Sequence, residues 1–147
     1  VALAHFNSLD EFKRVFEQIF QLMNDHPKIG RTLRDAKAPH RFEITDLNLV
    51  FTVTYAPPEE EAAGRFLRWG WESDGFTAEP LITMRMASEV ANRFFQGKEN
   101  ITLAIATGRV KLRGPISKIL ELAPVTRPLY PVYREWLVND GREHLLA

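Results

Sequence analysis

The stretch GKENITLAIATGRVKLRG, Gly97 to Gly114, decides how the chain is read, because it fits three different structures. Its glycines and basic residues invite a phosphate cradle. That reading fails at both ends: a P-loop needs G-x-x-x-x-G-K followed by Ser or Thr, whereas Glu99 follows Lys98 and Asn92 stands where the first glycine belongs. The isoleucines and threonines of ITLAIAT favour a strand by propensity, which would make a hairpin with RVKLRG. Asn100 and Gly108 could serve as N-cap and C′ only if the segment were a short helix. Local propensity alone says strand.

Outward from this stretch, two periods alternate along the chain. Before it, ASEVANRFFQG reads as a helix with Ser88 a candidate N-cap, Gly97 at C′, and Val90 and Phe94 on the inner side with Ala87 and Ala91. After it, PISKILEL is helical from Pro115, with Ile116, Ile119 and Leu120 in line. Pro131 opens a last helix carrying Tyr133, Trp136 and Leu137, ended by Asn139-Asp-Gly141. At the other end, Ser8-Leu-Asp-Glu11 has capping-box spacing, followed by Leu9, Phe12, Val15, Phe16, Ile19, Phe20 and Met23 at helical intervals until Asn24-Asp-His-Pro27. A short helical turn is expected from Lys28 to about Asp35.

Between the helices the period is two. RFEITD, LVFTVTY, RFLRWGW and LITMRM place Phe42 and Ile44, then Phe51 and Val53, then Trp69 and Trp71, then Met84 and Met86 on one greasy side. RVKLRG adds Val110 and Leu112 inward, with Arg109, Lys111 and Arg113 outward. One apolar and one wet face is the habit of antiparallel sheets, so the expected class is α+β with a mostly antiparallel five-stranded sheet. Ala56 to Gly64, with three consecutive glutamates, reads as an exposed loop. No repeat or second domain interrupts residues 1–147, which read as one domain.

The composition, 45% hydrophobic and 26% charged, is that of an ordinary globular chain, and 19 basic residues balance 19 acidic ones. No global field therefore draws it to nucleic acid or anionic lipid. Without cysteine there is no disulfide, thiolate catalysis or cysteine-bound zinc. VALAHFNSLDEF lacks the basic start and apolar core of a secretory leader, and the cytoplasm is the expected compartment. His5, His26, His40 and His144 form no metal-ligand pattern, no serine sits in a G-x-S-x-G elbow, and no dinucleotide fingerprint occurs, so no metal, cofactor or catalytic group is expected. RFLRWGWE interleaves aromatic and basic residues, but its alternation buries the tryptophans rather than offering them to bases, so no nucleic acid is expected.

From Leu81 to Pro124 the chain resembles the sterol-carrier-protein type two family. The resemblance is carried by a strand, a helix ending in Gly97-Lys98, the apolar segment Leu103 to Ala106, then Gly108-Arg-Val-Lys-Leu112 and Gly114. It implies that ITLAIAT is a helix, and that helices cover one face of the sheet and leave an apolar tunnel for a fatty acid, acyl-CoA or sterol-like lipid, with no covalent step. The residues expected to line it are Phe51, Val53, Trp69, Trp71, Met84 and Met86 from the sheet, and Val90, Phe94, Ile105, Ile119 and Leu120 from the helices. Residues 125–147 would be a lid or packing helix. Arg109, Lys111 and Arg113, with Arg85, would touch an anionic membrane. The alternative is an accessory interaction or dimerisation module whose tunnel Trp69 and Trp71 close.

Overall fold

The period-two segments form one five-stranded sheet in the computed structural model, which describes residues 5–147. Residues 1–4, where the stretch read for a leader begins, lie outside the described residues. The strands are β1 (His40–Ile44), β2 (Leu49–Tyr55), β3 (Leu67–Trp71), β4 (Ile82–Met86) and β5 (Val110–Arg113), in the spatial order β3-β2-β1-β4-β5. All neighbours pair antiparallel except β1 and β4, which run parallel at the centre. The sheet is therefore mixed. Alternation reports that one face is buried and carries no information on strand direction, so a single parallel pair leaves the same pattern.

Residues opposite one another across a ladder share a face, and the register sorts the side chains accordingly. Phe42 lies opposite both Phe51 and Met84, and Phe51 opposite Trp71, which places them with Val53, Trp69, Met86, Val110 and Leu112 on the inner face. Arg41, Glu43, Thr52, Arg85, Lys111 and Arg113 fall on the outer one.

Helices α1 (Leu9–Asp25), α2 (Ile29–Ala36), α3 (Ser88–Phe95), α4 (Ile101–Ala106), α5 (Ile116–Leu122) and α6 (Leu129–Asn139) complete the fold. α1 starts where the Ser8 hydroxyl accepts from the Glu11 amide at 3.0 Å, while the Glu11 carboxylate accepts from the Asn7 amide at 2.7 Å. Its apolar stripe buries Phe12, Val15, Phe16, Ile19, Phe20 and Met23. Phe16 meets Phe51 at 5.0 Å between centroids and Trp71 at 5.9 Å, and Phe20 meets Phe51 at 4.9 Å. Burying each such ring contributes roughly 1.5–3 kcal/mol, so this aromatic layer is the principal adhesive between helix and sheet.

ITLAIAT is helical despite its strand propensity. The Asn100 side chain accepts from the Leu103 amide at 3.0 Å, and Ala104 is the buried contact. Two glycines in the surrounding loops are required by geometry. Gly97 has φ +72° and a Cβ there would sit 2.5 Å from the Tyr130 ring; Gly114 has φ +135° and its Cβ would sit 2.5 Å from the Leu81 carbonyl oxygen. Ser88 is the first helical residue of α3 rather than its cap, and both its amide and its hydroxyl donate to the Asp46 carboxylate, at 2.8 and 2.6 Å.

α6 begins at Leu129, two residues before Pro131, and buries Leu129, Tyr133 and Leu137 against α1 and α3. A buried polar cluster fixes this docking. Tyr133 donates to Asn92 Oδ1 at 2.7 Å, Asn92 Nδ2 donates to the Leu145 carbonyl at 2.9 Å, and Gln96 Nε2 donates to both acceptors at 2.9 and 2.8 Å. Nearby, Glu11 accepts from Arg142 and lies 3.1 Å from His144 Nε2. Burial works to raise the Glu11 pKa, but the Asn7 amide, His144 and Arg142 outweigh it and hold the carboxyl below its ordinary value.

Candidate functional site

α1 covers the part of the inner face carried by Phe51 and Trp71, and leaves the part around Val53, Ile82, Met84 and Leu112 uncovered by its rings. Over that part, α4, α5 and the start of α6 enclose a cavity of about 270 Å³ that opens to the surface. Its floor is Phe42, Val53, Met84 and Leu112; its roof is Phe94, Ile101, Ile119, Leu122 and Tyr130; Phe20 and Met23 close the α1 side. Most of the lining is hydrocarbon. The exceptions are His40, Thr54, Tyr55, Thr126, Arg127 and Tyr130.

Nine of the eleven sequence-derived site residues divide into three groups. Val53, Met84, Phe94 and Ile119 line the cavity. Phe51, Trp71, Met86 and Val90 are buried in the close-packed core outside it, where Trp71 meets Phe12, Phe16 and Phe51 in tilted and edge-on contacts. Trp69 is half-buried and borders a separate small polar cleft with Asn24 and Arg65. Neither tryptophan obstructs the cavity.

Ile105 and Leu120, expected on the inner side, are instead 43% and 68% exposed. In α5 two apolar stripes satisfy helical spacing, Ile116–Ile119–Leu120 and Ile119–Leu122–Ala123. The helix turns the second one inward, where Leu122 joins Ala38 and Ile82 in a small satellite core. Contact with those partners chose the stripe, and period alone does not hold that information. Phe42 and Leu112 were legible as inward-facing from alternation, and His40 shares their parity two residues before Phe42. Phe20, Met23, Leu33, Ile101, Arg127 and Tyr130 carry no signal in the sequence that separates lining from core.

His40 sits in the wall with Nδ1 2.7 Å from the Ala38 carbonyl oxygen, so Nδ1 carries the proton and Nε2 is left as an acceptor. Burial lowers its pKa, opposed by the bond to Ala38, and keeps the ring neutral at neutral pH. On the outer face, Lys111 lies directly opposite Arg85, and Arg113 opposite Thr83. Among the described residues these three cations make no ion pair, and two like charges in register repel. Arg109 differs from them. Its guanidinium bonds Glu99 at 2.8 Å, and the Glu99 side chain, only 3% exposed, also holds Arg93 at 2.8 Å, so Arg109 braces the turn into β5.

Residues 16–127 match the model of the SCP-2 sterol transfer family. The chain belongs to that family. The match takes in α1 from Phe16 onward, the whole sheet and α5, and so contains most of the cavity wall. Solved SCP-2 structures share its fold at low identity. Sterol carrier protein 2 from Yarrowia lipolytica, in its apo form, is 14% identical with a TM-score of 0.56, over 88% of this chain and 98% of that one. The sterol carrier protein domain 2 of Helicoverpa armigera is 14% identical at 0.58, over 80% and 89%. The ubiquinone synthesis protein UbiJ-SCP2 is 12% identical at 0.58, over 80% and 94%. The chain also spans 13% of the length of the sec-alkylsulfatase Pisa1 from Pseudomonas sp.. Among curated protein sequences nothing matches. Among the described residues no helix is long and apolar enough to cross a membrane.

Proposed function

We propose that this SCP-2 protein binds and carries a single-chain lipid in the cavity between the inner sheet face and α4–α6, without a covalent step. The carrying observation is the hydrocarbon-lined cavity of about 270 Å³ with an opening to the surface. At about 30 Å³ per methylene-sized unit, taken from the share of a water in the liquid, that space holds roughly nine methylenes. Each contributes about 0.8 kcal/mol when buried, or about 7 kcal/mol gross for the segment inside. Association costs at least about 4 kcal/mol of this, so a chain confined to the cavity binds weakly. A fatty acid or acyl-CoA meets this geometry with part of its tail inside; a rigid sterol is bulkier than the roughly nine-methylene space.

Arg85, Lys111 and Arg113 supply a membrane-docking face in this reading, each worth about 1 kcal/mol against an anionic surface. Arg109 is left out because Glu99 holds it. The cytoplasmic location expected from the sequence belongs to the same proposal. Titration of lipid-stripped protein with a fluorescent fatty acid tests it: saturable one-to-one binding is expected, read on the ligand, since both tryptophans of β3 stand outside the cavity. Absence of saturation across acyl chains of several lengths would overturn it.

One observation favours the second reading, an interaction or dimerisation module. Ile116 and Leu120 are 73% and 68% exposed on the outer side of α5, and Leu103 is 52% exposed on α4. Size by light scattering, with and without fatty acid, separates the two: a carrier stays the same size and binds, whereas a module associates and does not.

A further inference from the structure

We infer that the ligand is an anionic amphiphile, one alkyl chain ending in a carboxylate or sulfate, whose headgroup is held at the cavity rim by Arg127. This inference rests on the lipid-binding reading above and sharpens it. Arg127 is the single formally charged residue in the lining, and no carboxylate accompanies it there. It stands at the exposed edge, between the 3-10 turn Ala123–Thr126 and α6. Among the described residues its guanidinium forms no ion pair; Arg14, Arg85, Arg113 and Arg134 share that state, but none of those four lines the cavity.

A lone cation at the mouth of a hydrocarbon cavity sorts ligands by head charge. An anion gains a forked, charge-assisted bond that guanidinium geometry suits. An ammonium head is repelled, and an uncharged alcohol gains only a neutral hydrogen bond. His40 cannot take the anion instead, because its ring is neutral and its free nitrogen is an acceptor that would face the carboxylate lone pairs. The Thr126 and Tyr130 hydroxyls, which share the lining with Arg127, can donate to the same head without adding charge.

The test compares decanoate with 1-decanol, whose chains match the roughly nine-methylene space, by titration calorimetry on lipid-stripped wild type and Arg127→Gln. The substitution should weaken decanoate about fivefold, the scale of an ion pair at a solvent-exposed rim, and leave decanol within about twofold. The decanoate effect should shrink as salt is raised. Because Arg127 is exposed, the variant should melt with the wild type. Equal weakening of both ligands, or of neither, would overturn the assignment to Arg127 while the lipid-binding reading stands. If neither ligand binds either protein, that reading falls and takes this inference with it.

Discussion

Met84 and Met86 leave β4 on the same face two residues apart, yet only Met84 meets the cavity; Met86 is 1% exposed in the packed core. Replacing each with tryptophan therefore separates open space from close packing. In Met84→Trp the added indole atoms enter the cavity and fill roughly the space of two to three methylenes, at about 0.8 kcal/mol each. The loss of chain burial is about 2 kcal/mol, or about thirtyfold in affinity. Stability should change little, within about 2–4 °C of melting temperature, the shift that 1 kcal/mol produces in a chain near this length. Met86→Trp has nowhere to go among Ile44, Val110 and the core behind them, and overpacking costs about 1–3 kcal/mol. It should melt lower by about 2–12 °C. Calorimetric melts of lipid-stripped proteins, paired with fatty-acid titrations, measure both quantities. If Met84→Trp were as unstable as Met86→Trp, the space beside Met84 would be filled; if it bound fatty acid normally, the ligand would lie elsewhere.

The buried cluster at α6 should be costly to open: Asn92→Ala leaves the Tyr133 hydroxyl without its acceptor and should lower stability by about 2–4 kcal/mol in urea unfolding, and a loss under about 1 kcal/mol would argue against the cluster. Glu11, held below its ordinary value of 4.5, contributes stability that is present at neutral pH and is lost as pH falls below that value. The stability gap between wild type and Glu11→Gln should accordingly be largest near pH 7 and shrink by about pH 3; a pH-independent gap would contradict it. His40 resists protonation when folded, so acidification through its ordinary 6.5 favours the unfolded chain. Wild type should lose stability between about pH 7 and 5 that His40→Gln retains, and parallel profiles would refute the assignment.

Much of the fold was legible because its signals are local. Alternation in LVFTVTY and LITMRM put Phe51, Val53, Met84 and Met86 on one face, and capping at Ser8 and Asn100 marked helix starts that the hydrogen bonds reproduce. The helix at Ile101–Ala106 came from the family resemblance, since its β-branched residues argue the other way. What the sequence did not reveal depends on partners distant along the chain. The parallel β1–β4 pairing, the choice of the Ile119–Leu122 stripe in α5, and the division of one greasy face into a packed half under α1 and an open half under α5 are of this kind. Met84 and Met86 look alike in sequence because only the helix above each one differs. His40 was discounted as a scattered histidine, and its parity with Phe42 was the one clue to its place in the wall.

The most direct test of a ligand in this cavity is an NMR experiment with uniformly ¹³C-labelled decanoate, filtered for contacts between ligand protons and protein methyl groups. The account predicts saturable contacts from the chain to the Met84 methyl, Val53 and Ile119, and none to Met86, Ile105 or Leu120. Contacts confined to the exposed methyls of Ile105 and Leu120, with Met84 silent, would contradict it.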